Sequence, residues 1–463
     1  MAVEMLEVRN PATGEVIANL PAASQEDCRL AVERAARAYP EWSQRPVVER
    51  ARLLFRYADA LERRFEDLAR SVSSENGKTI GDARAEVRRG IEAVEFACGM
   101  PTLMMGDALG NVARGVDSVS LRFPLGVCVG ITPFNFPAMI PLWMMPIAVA
   151  AGNTFVLKPS PQTPVTSDML YQISNDSGFP SGVFNVVHGG AQAVEALIEA
   201  PAVQAVSFVG SSSVARSVQE LAVRHHKRVQ ALGGAKNYLI VMPDAANEQT
   251  LNAVLSSAFG GAGQRCLAGS VVVTVGDAAR TFVPMLVEAA RALRIGPGID
   301  ADVDMGPVIS AQSRQRITGY IARARESGAK VLLDGSQSQT GEAFIAPTIF
   351  DDVDPDSELA TEEIFGPVVA VVHADSLDTA IDIANRSRYG NASSIFTADG
   401  KSAREFGQRI AVGMVGINIG VAAPMAFFAF GGVKDSIFGD LRCHGKDAVA
   451  FYTQQRVVIS RWP

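Results

Sequence analysis

Apolar residues follow two different periods along the chain, and the change between them predicts how the chain is organised. Between residues 24 and 100 they recur every three or four positions, as at Leu53, Tyr57 and Leu61, which predicts a helical opening segment. From residue 119 onward, short β-branched runs alternate with helix-like stretches. The predicted strands are 127–131, 154–157, 182–187, 205–208, 238–241 and 270–275. This alternation indicates βαβ units with parallel sheets, and therefore an α/β fold.

The second half of the chain repeats the alternation. Helices are predicted through 282–293 and 310–327 and strands near Lys330 and Phe344, so a second α/β domain is expected. Segment 448–460 is predicted to be a strand or strand pair with little core of its own, which adds to the sheet of another subunit. The apolar segment 136–149 contains three prolines and is shorter than the ~20 residues of a membrane span. It is therefore expected to be a buried helix or loop.

Composition narrows the class of protein. A chain of 463 residues is long enough for two or three domains, and 48% hydrophobic with 20% charged residues is typical of a soluble globular protein. The net charge of -7 gives no reason to expect nucleic-acid binding. The five cysteines are scattered without a C-x-x-C pair, so neither a disulfide framework nor a metal site is predicted. The first nine residues do not resemble a secretory signal, and the cytoplasm is the expected compartment.

One cysteine ends a glycine-rich run, Phe259-Gly260-Gly261-Ala262-Gly263-Gln264-Arg265-Cys266. Glycines permit positive φ and close backbone approach, so the N–H of Cys266 can point into a pocket and stabilise an oxyanion. Arg265 adds positive charge that lowers the pKa of the thiol or holds an anionic substrate. The alternative is a buried free cysteine that only fills space in a core.

Two strand ends are candidates for ligand contacts, although the chain lacks the G-x-G-x-x-G fingerprint of ordinary dinucleotide binding. Lys158 follows the strand 154–157, which puts a cation at the carboxyl end of a strand, where α/β sheets bind ligands. The run Phe208-Val209-Gly210-Ser211 ends another strand and opens a helix, so its N–H groups can face a phosphate. Taken alone, each feature is explained more simply by ordinary turn chemistry.

Five separated motifs in one order make the chain resemble the aldehyde dehydrogenase superfamily from end to end. They are Thr132-Pro133-Phe134-Asn135-Phe136-Pro137, Lys158-Pro159-Ser160, Phe208-Val209-Gly210-Ser211, Gly263-Gln264-Arg265-Cys266 and Glu362-Glu363-Ile364-Phe365-Gly366-Pro367. The resemblance implies two parallel-sheet α/β domains plus a small β oligomerisation element. By this resemblance, the NAD-binding domain spans 1–105 and 124–234 and the catalytic domain spans 235–446. The oligomerisation element, of a homodimer or homotetramer, combines 106–123 with 447–463.

The same resemblance implies the chemistry. Cys266 is the expected nucleophile, which attacks an aldehyde and carries a thioester after hydride transfer to the nicotinamide. The side-chain amide of Asn135, together with the N–H of Cys266, is expected to hold the oxyanion. NAD is the expected cofactor, and NADP remains an alternative because Pro161 stands where the superfamily has a glutamate that binds the ribose and would repel a 2′-phosphate. The expected cofactor contacts are Thr132, Phe134, Lys158, Gln162, Ser211, Gly233, Glu363 and Phe365.

A catalytic base of the superfamily is missing. Hydrolytic members carry a glutamate in an E-L-G-G-K segment, and the two possible alignments put Leu232 or Ala231 at that position. A general base typically contributes roughly 10²–10⁴-fold, so its absence favours a thiol acceptor, coenzyme A, over water. The departure, with stretches such as Gly77-Lys78-Thr79 and Pro424-Met425-Ala426-Phe427-Phe428, resembles the CoA-acylating methylmalonate-semialdehyde dehydrogenase branch.

That branch holds its substrate carboxylate with two arginines, which Arg89 and Arg265 match; a bidentate cation near the thiol suits a small semialdehyde acid. The implied activity is NAD-dependent oxidation of methylmalonate or malonate semialdehyde to propanoyl-CoA or acetyl-CoA with release of CO2. Two alternatives remain open. One is another aldehyde or semialdehyde dehydrogenase of the superfamily, hydrolytic or NADP-using, and the other is a non-catalytic ligand-binding descendant.

Overall fold

The computed structural model describes residues 4–338 and 340–462. In these ranges the strands, numbered in chain order, are β1 Met5–Arg9, β2 Val16–Pro21, β3 Ala108–Ala113, β4 Val116–Pro124, β5 Val127–Ile131, β6 Thr154–Lys158, β7 Phe184–Val186, β8 Val203–Val209, β9 Arg228–Leu232, β10 Asn237–Val241, β11 Gly269–Val275, β12 Lys330–Leu333, β13 Thr348–Asp351, β14 Val368–Ala374, β15 Tyr389–Gly390, β16 Ala392–Phe396, β17 Met414–Ile417, β18 Val433–Lys434, β19 Ile437–Phe438 and β20 Thr453–Arg461. The α-helices are α1 Gln25–Gln44, α2 Val47–Arg63, α3 Phe65–Asn76, α4 Ile80–Cys98, α5 Met100–Leu103, α6 Met139–Ala150, α7 Val165–Asp176, α8 Ala191–Glu199, α9 Ser212–Arg224, α10 Glu248–Phe259, α11 Ala278–Arg291, α12 Ala311–Glu326, α13 Glu358–Thr361, α14 Leu377–Arg386, α15 Gly400–Arg409 and α16 Gly445–Phe451.

The predicted helical opening segment is confirmed as α1 to α4. Helix α1 begins with a capping box, in which the Ser24 side chain accepts the Asp27 N–H and the Asp27 side chain accepts the Ser24 N–H. Helix α3 ends at Gly77, whose φ of +89° is the left-handed conformation that ends many helices. The antiparallel hairpin of β1 and β2 precedes this segment and was not predicted, because Val8 is the single fully buried residue among its strands.

The first large sheet has six strands in the order β19-β9-β8-β5-β6-β7, parallel except for the short β19. All residues of β5 and β6 are buried, as expected when both faces of a parallel sheet are covered. Val129 and Val156 pack with residues of α1, α8 and α9. Cys128 and Phe155 pack on the other side with residues of α2 to α4 and α6. The predicted strands between 127 and 208 are therefore confirmed.

The apolar segment 136–149 forms the buried helix that was expected. All 12 residues of α6 are buried, and Pro146 lies inside it. The helix contacts α4 more extensively than it contacts β6, so it joins the opening helices to the sheet. Among the described helices, none is both long enough and apolar enough to cross a membrane.

The second large sheet has seven strands in the order β12-β13-β14-β11-β10-β16-β17, with β12 antiparallel to β13 and the other neighbours parallel. The second α/β unit is thus confirmed, including helices α11 and α12 close to their predicted positions. The strand expected near Phe344 begins instead at Thr348. Phe344 is buried but lies outside a strand. Its apolar side chain therefore packs in the core without strand pairing.

A three-stranded antiparallel sheet, β20-β4-β3, stands apart from the two large sheets. Strand β20 pairs with β4 of its own chain from Thr453 to Arg461. The expectation that this segment adds to another subunit's sheet stays a prediction. The first part of 448–460 was wrong as a strand. It belongs to helix α16, where Ala448, Val449 and Phe451 are buried at helical spacing.

Candidate active site

A cavity of about 390 Å³ lies between the amino-terminal and middle part of α4 and the loop that follows α10. Its lining includes Cys266, Asn135, Arg89 and Arg265, which are far apart in the sequence. Both predicted catalytic residues and both predicted substrate-binding arginines therefore meet in one place. No group of three or more His, Cys, Asp or Glu residues that could hold a metal ion occurs among the described residues.

The loop before Cys266 has the backbone that its glycines predicted. Gly261 and Gly263 have φ values of +58° and +70°, and a Cβ added to Gly263 would lie 2.3 Å from the carbonyl oxygen of Gly366. The loop thus needs glycine for both conformation and close approach. The carbonyl oxygen of Cys266 accepts hydrogen bonds from the side-chain amides of Asn237 at 2.9 Å and Asn391 at 2.7 Å, which fix the peptide on the carboxyl side of the thiol.

The thiol of Cys266 is held in its neutral form. Burial and, to a smaller extent, the carboxylate of Glu363 raise its pKa to about 12. Arg265 and the N–H groups of Cys266 and Leu267 act in the opposite direction, as predicted for Arg265, but burial outweighs them. The same N–H groups lie close enough to the sulfur to stabilise negative charge that develops beside it.

Arg265 is tied to α4 by an acidic residue. Its Nη2 lies 2.5 Å from Oδ1 of Asp82, and Oδ2 of Asp82 accepts the N–H of Gly261 at 3.1 Å. Both side chains of the pair are largely buried, with 17% and 26% exposure. Asp82 therefore fixes the position of Arg265 and offsets part of its charge.

Arg89 is held less firmly. Its Nη1 lies 3.1 Å from Oε2 of Glu92, and both side chains are about one-third exposed, with 34% and 32% exposure. The guanidinium also contacts Sδ of Met425 at 2.8 Å and the carbonyl oxygen of Ala423 at 3.4 Å. Partly exposed ion pairs contribute little to stability, so Arg89 can exchange Glu92 for a ligand carboxylate at small cost.

Asn135 is positioned beside the nucleophile loop. Its side-chain Nδ2 donates to the backbone carbonyl oxygen of Gln264 at 2.9 Å, and its backbone carbonyl oxygen accepts from Nζ of Lys78 at 2.6 Å. The Asn135 side-chain amide has two N–H groups, and the described hydrogen bonds use one of them. The second N–H is therefore available to a ligand.

Four predicted cofactor contacts line the carboxyl edge of the first large sheet. Thr132 follows β5, Lys158 ends β6, Ser211 follows β8 and Gly233 follows β9, and these four strands are neighbours. Ligands of open α/β sheets bind at this edge. The structure places these four residues at one edge, whereas Gln162 is exposed in the turn after β6, and their role as cofactor contacts stays a prediction.

Three features make this edge suitable for a polar ligand. The hydroxyl of Thr132 is buried without a hydrogen-bond partner. Lys158 donates to the carbonyl oxygen of Gly189 at 3.0 Å, and burial lowers the pKa of its ammonium to about 8. Ser211 is the N-cap of α9 but its side chain makes no cap bond, so the first N–H groups of α9 lack that partner.

Glu363 and Phe365 connect this edge with the cavity. Oε1 of Glu363 accepts the N–H of Ala235 at 2.9 Å, and Oε2 would lie 2.3 Å from a Cβ on Gly234, so a side chain at Gly234 would displace the Glu363 carboxylate. Burial raises the pKa of Glu363 to about 7. Phe365 has a φ of +54°, and its ring meets that of Phe134 edge-on with centroids 5.8 Å apart.

The two residues that align with the missing base are the last two residues of strand β9. Ala231 and Leu232 are 0% and 4% exposed, and they pair with Phe438 and Ile437 of β19. Neither side chain carries an oxygen or nitrogen, so neither can take a proton from water.

Sequence reasoning missed three features of the cavity wall. Asp82, Glu86 and Arg89 share one face of α4, and their spacing of four and three residues was a signal that could have grouped them. Glu86 forms a buried ion pair with Lys78, with Nζ and Oε2 2.6 Å apart. His444 also lines the cavity, and nothing in its local sequence marked it.

Comparison with known proteins agrees with this geometry. The family model described as the aldehyde dehydrogenase family matches residues 2–458. Malonate-semialdehyde dehydrogenase 1 of Geobacillus kaustophilus (strain HTA426) is 50% identical over 462 residues, which are 99% of this chain and 94% of that protein. The crystal structure of methylmalonate-semialdehyde dehydrogenase from Oceanimonas doudoroffii is similar with a TM-score of 0.98 and 45% identity, covering 100% of this chain and 96% of that one.

A structure from Sinorhizobium meliloti 1021, solved as a complex with NAD, is similar with a TM-score of 0.98 and 42% identity over 99% of this chain and 95% of that one. The predicted superfamily and its α/β fold are thus confirmed over essentially the whole length. The chain belongs to the aldehyde dehydrogenase family.

Proposed function

We propose that this enzyme oxidises malonate or methylmalonate semialdehyde with NAD and transfers the acyl group to coenzyme A, releasing CO2. The observation that carries the proposal is a thiol that shares its cavity with two arginines, while Ala231 or Leu232 stands where hydrolytic members of the family carry their base. Relatives named for these two semialdehydes, at 50% and 45% identity, support the same substrate class.

The first step is attack by Cys266 on the aldehyde carbon. A bond forms between Sγ and that carbon, the C=O π bond breaks so that its electron pair goes to the aldehyde oxygen, and the thiol proton passes to solvent water. The second N–H of the Asn135 amide and the N–H of Cys266 stabilise this oxygen. Preorganised donors of this kind contribute about 3–4 kcal/mol each to transition-state stabilisation.

The carboxylate of the substrate is held at the other end of the cavity. Arg89 gives up its partly exposed partner Glu92 and binds the carboxylate, while Arg265, fixed by Asp82, contributes positive charge beside the thiol. This arrangement selects a short semialdehyde acid over an uncharged aldehyde of the same length.

The cofactor is proposed to lie along the carboxyl edge of the first sheet. The unpartnered hydroxyl of Thr132 and the uncapped start of α9 fit a polar, phosphate-bearing ligand there. Thr132, Lys158, Gln162, Ser211 and Gly233 would hold its adenosine and pyrophosphate portion; its nicotinamide portion would contact Phe134, Glu363 and Phe365. NAD, when bound, accepts the hydride that leaves the carbon attached to Cys266.

The thioester on Cys266 then loses CO2 and is transferred to a thiol. The substrate carboxylate is β to the thioester carbonyl, so the electrons of the breaking C–C bond pass into that carbonyl and the α-carbon takes up a proton. The thiolate of coenzyme A attacks the thioester carbon and Cys266 leaves as the thiolate. Ala231 and Leu232 leave water without a base, whereas a thiol needs less activation.

Domain roles and assembly belong to the same proposal. The six-stranded sheet would bind the cofactor, the seven-stranded sheet would carry the nucleophile loop, and the sheet β20-β4-β3 would join subunits of a homodimer or homotetramer. Val457 and Ile459 of β20, which are 63% and 70% exposed, support an interface on this small sheet.

Product analysis tests the proposal. Malonate semialdehyde labelled at its carboxyl carbon is incubated with the enzyme and NAD, with or without coenzyme A. The expected result is labelled CO2 and unlabelled acetyl-CoA that form in equal amounts and need coenzyme A for continued turnover. Formation of malonate at the same rate without coenzyme A would contradict it, and replacing NAD by NADP in parallel decides between the two cofactors.

A further inference from the structure

His444 is the one residue in the described cavity lining whose side chain is buried and polar but has no hydrogen-bond partner. The residue is 3% exposed, and neither Nδ1 nor Nε2 is bonded to the protein. A buried polar group without a partner costs roughly 1–3 kcal/mol, so such a group in a ligand cavity points to a partner supplied by the ligand.

The surroundings hold the imidazole in a defined place. Its ring packs edge-on against Trp143, with centroids 4.3 Å apart, and lies 5.7 Å from the ring of Phe430. The backbone of His444 has a φ of +69°, a conformation that is strained for a residue with a side chain. Strain of this kind persists where the surrounding structure fixes a residue for a functional reason.

Burial and a neighbouring positive charge also determine the charge state of the His444 ring. Burial and, to a smaller extent, the positive charge of Arg89 lower its pKa to about 3. The ring is therefore neutral near pH 7, with one N–H donor and one acceptor nitrogen. Arg89 is close enough to act on this charge, so a carboxylate bound to Arg89 comes near the imidazole.

We propose that His444 donates a hydrogen bond to the substrate carboxylate and, with Arg89, forms a two-point anchor for the semialdehyde acid. The inference rests on the proposed function and adds a specificity-determining residue to it. Arg265, held by Asp82 at 2.5 Å, then acts mainly through its charge near the thiol. The neutral imidazole adds direction to the anchor without adding a second positive charge.

The test compares His444→Phe, which keeps a ring and removes both nitrogens, with His444→Gln, which keeps an N–H donor. Tyr452→Phe is the matched control, because it also removes a buried polar atom without a partner but does so outside the cavity lining. The probe is malonate, measured by its protection of Cys266 against iodoacetamide. The second measurement is the ratio of kcat/KM for malonate semialdehyde to that for propanal.

We expect His444→Phe to raise the half-protecting malonate concentration by about tenfold to a hundredfold, as for loss of a hydrogen bond to a charged group, and to lower the kcat/KM ratio similarly. His444→Gln and Tyr452→Phe should stay much closer to the wild type. Unchanged malonate protection in His444→Phe would overturn the inference, as would equal losses for the two aldehydes, which indicate a structural role.

Failure of the proposed function is distinguishable from failure of this anchor. A wild-type enzyme that makes no acyl-CoA from either semialdehyde, while its malonate protection still depends on His444, would overturn the acylating activity and leave the carboxylate anchor standing. A wild-type enzyme that makes acetyl-CoA with a selectivity independent of His444 would do the reverse.

Discussion

Lys78 and Glu86 form an ion pair inside the protein, with side chains 5% and 0% exposed and Nζ 2.6 Å from Oε2. Both partners also hold the segment that carries Asn135, the proposed oxyanion donor. Nζ of Lys78 donates to the carbonyl oxygen of Asn135, and Oε1 of Glu86 accepts the N–H groups of Ala138 and Met139. The pair therefore links helix α4 to the start of α6, and Asn135 lies in the loop just before α6.

Removing one partner of this pair should destabilise the protein strongly. Glu86→Leu leaves the Lys78 charge buried without a counter-ion, which costs about 3–5 kcal/mol in the free energy of unfolding. The double variant Lys78→Met/Glu86→Leu should recover a large part of that loss. Chemical denaturation measures both, and Arg88→Ala, which breaks the exposed pair with Glu62, is the control with an expected loss below about 1 kcal/mol.

Asn135 should affect the chemical step and not the thiol itself. Asn135→Ala removes a donor for the oxyanion, so kcat should fall by about 10²–10³-fold. Alkylation of Cys266 by iodoacetamide should keep its wild-type rate, because that reaction develops no oxyanion. An Asn135→Ala enzyme with wild-type kcat would contradict the assigned role.

The reactivity of Cys266 should depend on Glu363 in a defined pH range. Glu363 has a pKa of about 7 and is therefore negative above that pH. Its negative charge adds to the effect of burial, and together they raise the pKa of the thiol to about 12. Glu363→Gln removes the negative charge, so the pKa of the thiol falls and more thiolate is present at pH 9. Alkylation should therefore be faster than in the wild type at pH 9 and equal below about pH 6, where Glu363 is protonated. Slower alkylation of the variant at pH 9 would contradict this electrostatic link.

The two arginines should differ in what they contribute. Arg89→Leu should raise KM for malonate semialdehyde at least about tenfold while leaving KM for propanal nearly unchanged, because a charge-assisted hydrogen bond to the carboxylate is lost. Arg265→Leu should have a smaller effect on this selectivity, since Asp82 already binds its guanidinium. Steady-state kinetics with both aldehydes decides, and equal changes for the two substrates in Arg89→Leu would remove its role as the carboxylate anchor.

The sequence was most informative where chemistry and backbone geometry are both local. The glycines before Cys266 predicted positive φ and close approach, and Gly261 and Gly263 have both. Lys158 and Ser211 were correctly expected at strand ends, because strands β6 and β8 are mostly apolar and buried and are followed by turn residues. Parallel strands place such ends at one edge, so the gathering of these residues also follows from the pattern.

Features set by long-range contacts were not predictable in this way. Asp82 and Arg265 are 183 positions apart, and no local pattern shows that they meet. The effect of Arg265 on the thiol was therefore expected without the carboxylate that offsets it. The burial that dominates the pKa of Cys266 likewise arises from distant segments of the fold, as do the unpartnered nitrogens of His444.

Short elements were also predicted wrongly, because buried residues and strand residues produce the same apolar pattern in the sequence. Phe344 is buried but lies outside a strand, and the residues of α16 are buried on a helix, although both were expected in strands. Short apolar runs fit either element, and tertiary packing decides between them.

The central claim, that the thioester on Cys266 waits for a thiol and not for water, is tested most directly by a rapid-mixing measurement of NADH. Enzyme with NAD is mixed with malonate semialdehyde, first without and then with coenzyme A. Without coenzyme A, we expect a burst close to one NADH per active site, followed by almost no turnover. With coenzyme A present, we expect continuous NADH formation. Steady turnover at the same rate in both conditions would contradict it.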